Sequence, residues 1–141
     1  MPRPARSRGF SLIELLLVLA LIGIISAIAI PSYMGQRRRA RVIGDAISNA
    51  KVLAMALETR KAENGIFGAK GTYEWKLDGS ASTGPALLPT FTPQGDSKMN
   101  YTVDIGATGL TYTLTVFDPS ISTSTVAYQT DQTGAELARL K

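Results

Sequence analysis

Hydrophobic positions fall into three regimes along the chain. Across residues 11–30 they are almost continuous, with Ser11, Glu14, Gly23 and Ser26 the positions that are not clearly apolar. Farther on they thin to a stripe, with Ile43, Ile47, Ala50, Leu53, Ala54 and Leu57 recurring mostly three or four residues apart, and Arg41, Asp45, Ser48, Lys51 and Arg60 lying mostly off it. That spacing is one face of an α-helix. From residue 99 the period becomes two: Met99, Tyr101, Val103 and Ile105 alternate with Asn100, Thr102 and Asp104, and Leu110, Tyr112, Leu114 and Val116 alternate with Thr111, Thr113 and Thr115.

These regimes predict a small set of elements. Residues 11–63 form one long helix, stopped by Asn64-Gly65, two residues that tolerate the left-handed conformation closing many helices. At about 1.5 Å per residue, residues 11–30 span roughly 30 Å, the thickness of a bilayer's hydrocarbon core. Pro31 removes a backbone donor and bends the helix by the usual proline mechanism, and Gly23 weakens the same stretch. The alternating segments form a hairpin around the turn at residues 106–109. Asp118-Pro119 makes a second turn, and residues 124–130 a third strand with Val126 and Tyr128 inward. The last residues, GAELARLK, are read as a short helical turn or a tail.

Between helix and hairpin, residues 65–98 are rich in glycine and proline, as an irregular connection is. Inside it Tyr73, Trp75 and Leu77 alternate with Glu74, Lys76 and Asp78, as a short half-buried strand does. The expected fold is α+β: a long N-terminal helix, its first half transmembrane, packed against a small antiparallel β-sheet head. The expected organisation is a segment at 1–9, an apolar helix at 10–31, an amphipathic helix at 32–63, a connecting loop at 64–98, and a β-meander with its tail at 99–141.

Composition narrows the chemistry. The chain has no cysteine and no histidine, which removes thiolate and imidazole ligands, cysteine nucleophiles and the commonest general base. The net charge of +4 is made largely by Arg3, Arg6 and Arg8, so it does not indicate nucleic-acid binding, and Arg139 and Lys141 are too few for a phosphate-binding patch. Asp96, Asp104, Asp118 and Asp131 lie in or near expected turns, where aspartate serves local hydrogen bonding, and no EF-hand spacing joins them. No metal, cofactor or catalytic residue is expected. Asn100-Tyr101-Thr102 is a formal glycosylation sequon at an expected strand start, and SASTG and SISTST are read as solvated polar segments in preference to sites of O-linked sugar.

The feature these elements leave unexplained is Glu14. An ionised carboxylate in an apolar span costs a few kcal/mol and ordinarily has a functional partner, although one so near the end can also snorkel to the headgroups. A secretory signal peptide would have a shorter apolar region and a small-residue cleavage motif, for which SAIAIPSYMG is a weak candidate. If the chain were cut after Gly9, the new α-amine of Phe10 would lie one helical turn from Glu14 and on the same face. In an array of staggered identical helices that carboxylate could also meet the amine of the next copy. Charge bias leaves orientation undecided, since Arg3, Arg6 and Arg8 face Arg37, Arg38, Arg39 and Arg41 across the span.

The segment RGFSLIELLLVLALIGIISAIAIPSY resembles the amino-terminal segment of type IV pilins and of the related pseudopilins of type II secretion and DNA-uptake machines, specifically the short-leader, type IVa branch. The likeness rests on the basic leader, Gly9, Phe10, Glu14 and Pro31 at the family's spacings. It implies cleavage between Gly9 and Phe10 by a membrane-embedded prepilin peptidase, N-methylation of Phe10, and a role for Glu14 in bringing a new subunit into a fibre by pairing with a neighbour's N-terminus. It further implies unwinding between Gly23 and Pro31 in the fibre, and a single-pass inner-membrane subunit with its N-terminus cytoplasmic before assembly. After assembly the resemblance implies a homo-oligomeric helical filament at the cell surface, built by an assembly platform and serving twitching motility, adhesion or DNA uptake. Many type IVa members tie down their carboxy-terminal loop with a disulfide, which this chain cannot form. The alternatives are a secretion or competence pseudopilin, a minor pilin, or a membrane-anchored binding or sensor domain that never polymerises.

Overall fold

The computed structural model describes residues 9–77, 81–95, 98–121 and 125–140. Two compact units divide at Arg38 and Arg39. One helix, α1 (Leu12–Asn64), contributes to both.

In the first unit α1 is helical through Gly23 and Pro31. Its apolar side chains lie open, from Leu12 and Ile13 through Ile28 and Ile30. The helix is long and apolar enough to cross a membrane, as the sequence leads one to expect.

The second unit is the head. A five-stranded antiparallel sheet runs β1 (Gly71–Trp75), β2 (Asn100–Ile105), β3 (Tyr112–Phe117), β4 (Val126–Asp131) and β5 (Glu136–Arg139), each strand beside its neighbour in sequence. Rows of side chains on one face follow from the register. Trp75 pairs with Tyr101, Tyr101 with Val116, and Val116 with Tyr128; a second row runs Tyr73, Val103, Leu114 and Thr130. Against these rows the head portion of α1 buries Val42, Ala46, Asn49, Ala50, Leu53 and Leu57 in one core. The helical stripe is therefore rotated slightly from the expected one: Ile43 and Ile47 are half-buried at its margin, while Val42 and Ala46 occupy its centre.

The turns behave as their residues dictate. Gly109 has φ of +71° and its carbonyl accepts the Phe67 N–H at 2.8 Å, so the β2–β3 turn needs both the left-handed backbone and the missing side chain of glycine. Leu110 falls in that turn and is exposed, not the inward strand residue its period suggested. Asp118 Oδ1 accepts the Ser120 N–H at 2.9 Å and forms the expected turn after β3. Ser124 lies outside the described residues, and β4 begins at Val126. A register irregularity beside Phe117 buries Ala127 along with Tyr128, leaving Val126 half-buried.

The carboxy-terminal residues depart from expectation. Glu136–Arg139 form an edge strand on β4, not a helical turn or a loose tail, and the Leu140 N–H continues the attachment to the Ala127 carbonyl at 3.0 Å. Residues 136–140 are thus tied down by backbone pairing, in a protein without cysteine. The described parts of the connection between α1 and β2 also carry more structure than their composition suggests. A short 3₁₀ turn, Gly84–Ala86, sits against Trp75, and Leu87, Leu88 and Phe91 are buried in the core.

Candidate functional site

The candidate site is the start of α1 and the apolar surface that follows it. Ser11 opens the helix: its carbonyl accepts the Leu15 N–H at 3.2 Å, and its own N–H donates to Glu14 Oε2 at 2.9 Å. Ser11-Leu12-Ile13-Glu14 therefore supplies the carboxylate half of a capping box, in which an acid in the first turn accepts a backbone donor that the helix leaves unsatisfied. The S-x-x-E spacing is the sequence signal of this local role. It gives Glu14 a place to rest in an isolated subunit, one residue from Phe10. A carboxylate at a helix N-terminus is also favoured by the aligned peptide dipoles.

The residues around Glu14 are open. Phe10 is 82% exposed. A side chain placed on Gly9 would meet nothing within 4 Å, so the backbone between Gly9 and Phe10 is unobstructed by its surroundings in the described residues. Gly23 likewise has open space where a side chain would be, and Pro31 lies inside the helix. Apolar side chains distributed all round residues 12–30 leave no polar face. Such a helix is stable in lipid or among other helices, and not in water.

Elsewhere the polar residues have local work. Asp131 Oδ1 accepts the Thr133 N–H at 2.8 Å, and hydrogen bonds from the Thr133 side chain and backbone hold the Asp131 carboxyl below its ordinary pKa. Asp104 accepts the Thr72 hydroxyl at 2.5 Å across β1 and β2. Asp118 serves its turn, and Asp96 lies outside the described residues. Among the described residues no three acidic or other metal-binding side chains gather. Asn100 of the sequon is held in β2, where its side-chain oxygen accepts the Leu77 N–H at 3.2 Å. Arg37, Arg38, Arg39 and Arg41 are all exposed.

Residues 4–30 match a protein-family model described as the prokaryotic N-terminal methylation motif. That match covers Gly9, Phe10 and Glu14 together with most of the apolar run. Beyond the motif, the chain is 32% identical over 106 residues to the type IV major fimbrial protein FimA of Dichelobacter nodosus, a stretch covering 72% of this chain and 66% of that one. The chain belongs to the type IV pilin family. A second type IV pilin, the major pilin protein PilA of Myxococcus xanthus, is 43% identical over 68 residues, covering 48% of this chain and 28% of its own. A fimbrial protein of Moraxella nonliquefaciens is 46% identical over 57 residues, covering 40% of this chain and 34% of its own. The matches thus span from about a quarter to about two thirds of these pilins' lengths. No solved structure matches this pilin sequence. The long apolar helix and antiparallel sheet accord with the fold that the sequence led us to expect of the family.

Proposed function

We propose that this pilin is the structural subunit of a type IV pilus filament and that its work is assembly, not catalysis. One observation supports the reading: the segment of α1 that is apolar on every side, residues 12–30, bears a single carboxylate, Glu14, in its first turn and four residues after Phe10. Prepilin peptidase cuts between Gly9 and Phe10, and Phe10 is N-methylated. The subunit waits in the inner membrane with its N-terminus cytoplasmic, and is passed by the assembly platform into a bundle of identical helices. There the side chains of residues 10–30 exchange lipid for copies of themselves, at little net cost in apolar contact.

Glu14 links the two states. In the lone subunit its charge is shared with the Ser11 N–H; in the fibre it pairs with the amine of Phe10 on a neighbouring copy, a charge-assisted contact in a medium that excludes water. Where neighbours crowd the fibre core, Gly23 and Pro31 lower the cost of opening the helix between them, since Pro31 leaves the Ala27 carbonyl without its helical donor. The relatives named above are called major pilin or fimbrial proteins, which favours a filament's bulk subunit over a pseudopilin or minor pilin. A non-polymerising anchored domain leaves the conjunction of Gly9, Phe10 and Glu14 without a purpose. Replacement Glu14→Ala tests the mechanism: membrane insertion persists and surface filaments are lost, whereas normal filaments from that variant would contradict it.

A further inference from the structure

Among the described residues of the head, two surface features stand out as without a partner in the subunit. The first is a groove of about 470 Å³ between α1 and the segment after the 3₁₀ turn, beside β1, which that turn contacts. Val52, Met55, Leu88 and Pro89 supply its apolar lining, and Arg60 and Glu63 its charged lining. Met55 is 72% exposed. The Arg60 Nη1 donates to the Leu87 carbonyl at 2.9 Å, while its Nε is buried without a hydrogen-bond partner.

The second feature is the β5 edge. Gln129 pairs with Ala138 and Thr130 with Glu136, so the register skips Leu137, which stands out at the irregularity and is 52% exposed. A bulge of this kind re-aims a side chain, and an apolar residue on an open edge strand is something monomeric proteins avoid. Glu136 and Arg139 flank it, 3.6 Å apart.

We propose that Leu137 of one copy inserts into the Val52–Met55–Leu88 groove of the next, with Glu136 meeting Arg60 and Arg139 meeting Glu63. The proposal rests on the filament reading above and names a head-to-head contact within it. Charge complementarity selects the occupant: the groove's lining carries a cation and an anion three residues apart on a helix, and the edge carries an anion and a cation on either side of the projecting leucine. Topology supports it as well. Groove and projection are different surfaces of the subunit, the groove lined by α1 and residues 87–90 and the projection carried by β5, so their contact is heterologous, and heterologous contacts that do not close into rings propagate into helical filaments. The apolar insertion supplies contact area and the two ion pairs set its register.

The test uses the absence of cysteine from the chain. Full-length chain carrying Met55→Cys and Leu137→Cys together is expressed in place of the natural copy, and sheared filaments are oxidised and separated without reductant. A ladder of dimers, trimers and longer species is expected from the double variant, monomers from either single variant, and dimers without longer species from the two single variants co-expressed. Filaments that contain the double variant and stay monomeric overturn the contact while leaving the filament reading intact; filaments sheared from cells that make the unsubstituted chain, yet containing none of it, overturn the filament reading itself. Should the cysteine pair impair assembly, Glu136→Arg with Arg139→Glu is expected to reduce filament yield about tenfold, with recovery when Arg60→Glu and Glu63→Arg are added. Undiminished yield from the first pair, or no recovery with all four, overturns the pairing.

Discussion

Asn49 holds Gln94 by both backbone groups: its Nδ2 donates to the Gln94 carbonyl at 2.6 Å, and its Oδ1 accepts the Gln94 N–H at 2.8 Å. Asn49 is buried, and Nδ2 also donates to the Asp45 carbonyl at 3.0 Å. One amide thus fastens the connection leading into β2 to the helix that packs on the sheet. Asn49→Leu leaves the Gln94 backbone groups without partners and is expected to destabilise the head by about 2–3 kcal/mol. Thermal unfolding of the detergent-solubilised chain measures this, and a midpoint unchanged from the parent would show that the clamp contributes nothing.

Gly84 is dictated by Trp75. A Cβ on Gly84 would overlap the indole ring, which is itself fixed edge-on against Phe91 at 5.5 Å between centroids. Gly84→Ala is expected to cost about 1–3 kcal/mol by overpacking, with a change in the fluorescence of the single tryptophan as the loop shifts. Stability and emission both unchanged would mean that the loop yields freely at this point.

Alkali acts on two core tyrosines. Burial pushes the Tyr101 hydroxyl from 10.0 up to about 12, with Asn49 opposing and Asp45 adding to the shift, and burial followed by the charges of Glu58 and Asp131 does the same for Tyr112. Raised folded-state values mean that the neutral phenols stabilise the head fully below about pH 10, and that this contribution is lost as pH rises toward 12. Unfolding followed by tyrosinate absorbance is expected to become progressively easier over that window. Tyr101→Phe, which removes the buried hydroxyl, is expected to flatten the dependence; an unchanged profile would place its cause elsewhere.

Glu14 has two roles that substitution can separate. Glu14→Gln keeps an oxygen to accept the Ser11 N–H but removes the charge that pairs with an amine. The pairing account expects filament loss from Glu14→Gln nearly as complete as from Glu14→Ala, with both variants still inserted in the membrane. Filaments restored by Gln and not by Ala would assign the residue to helix capping instead.

Much of this molecule was legible because its periods are strong. The membrane-length helix, the β2–β3 hairpin and the Asp118 turn each follow from a local pattern that tertiary packing did not need to override. β5 was missed for the converse reason: Glu136, Leu137, Ala138 and Arg139 are good helix formers, and the pairing with β4 outweighs that preference. The turn before it carries the signal that could have revealed the strand, since Asp131 and the left-handed Gly134 close a hairpin. Asn49 drew no reading from the sequence, although its position between Ala46 and Leu53 on the buried face marks it as a clamp. At the candidate site, spacing exposed the conjunction of Gly9, Phe10 and Glu14, and the S-x-x-E spacing of Ser11 and Glu14 carried the signal of the capping bond between them.

The filament account is tested most directly by shearing fibres from the surface of cells that make this chain, imaging them by electron microscopy and weighing their bulk subunit by intact mass spectrometry. The account predicts that the bulk subunit is this chain, beginning at Phe10 and carrying one added methyl group on its amine. Filaments built from another protein, or from this chain with residues 1–9 still attached, would contradict it.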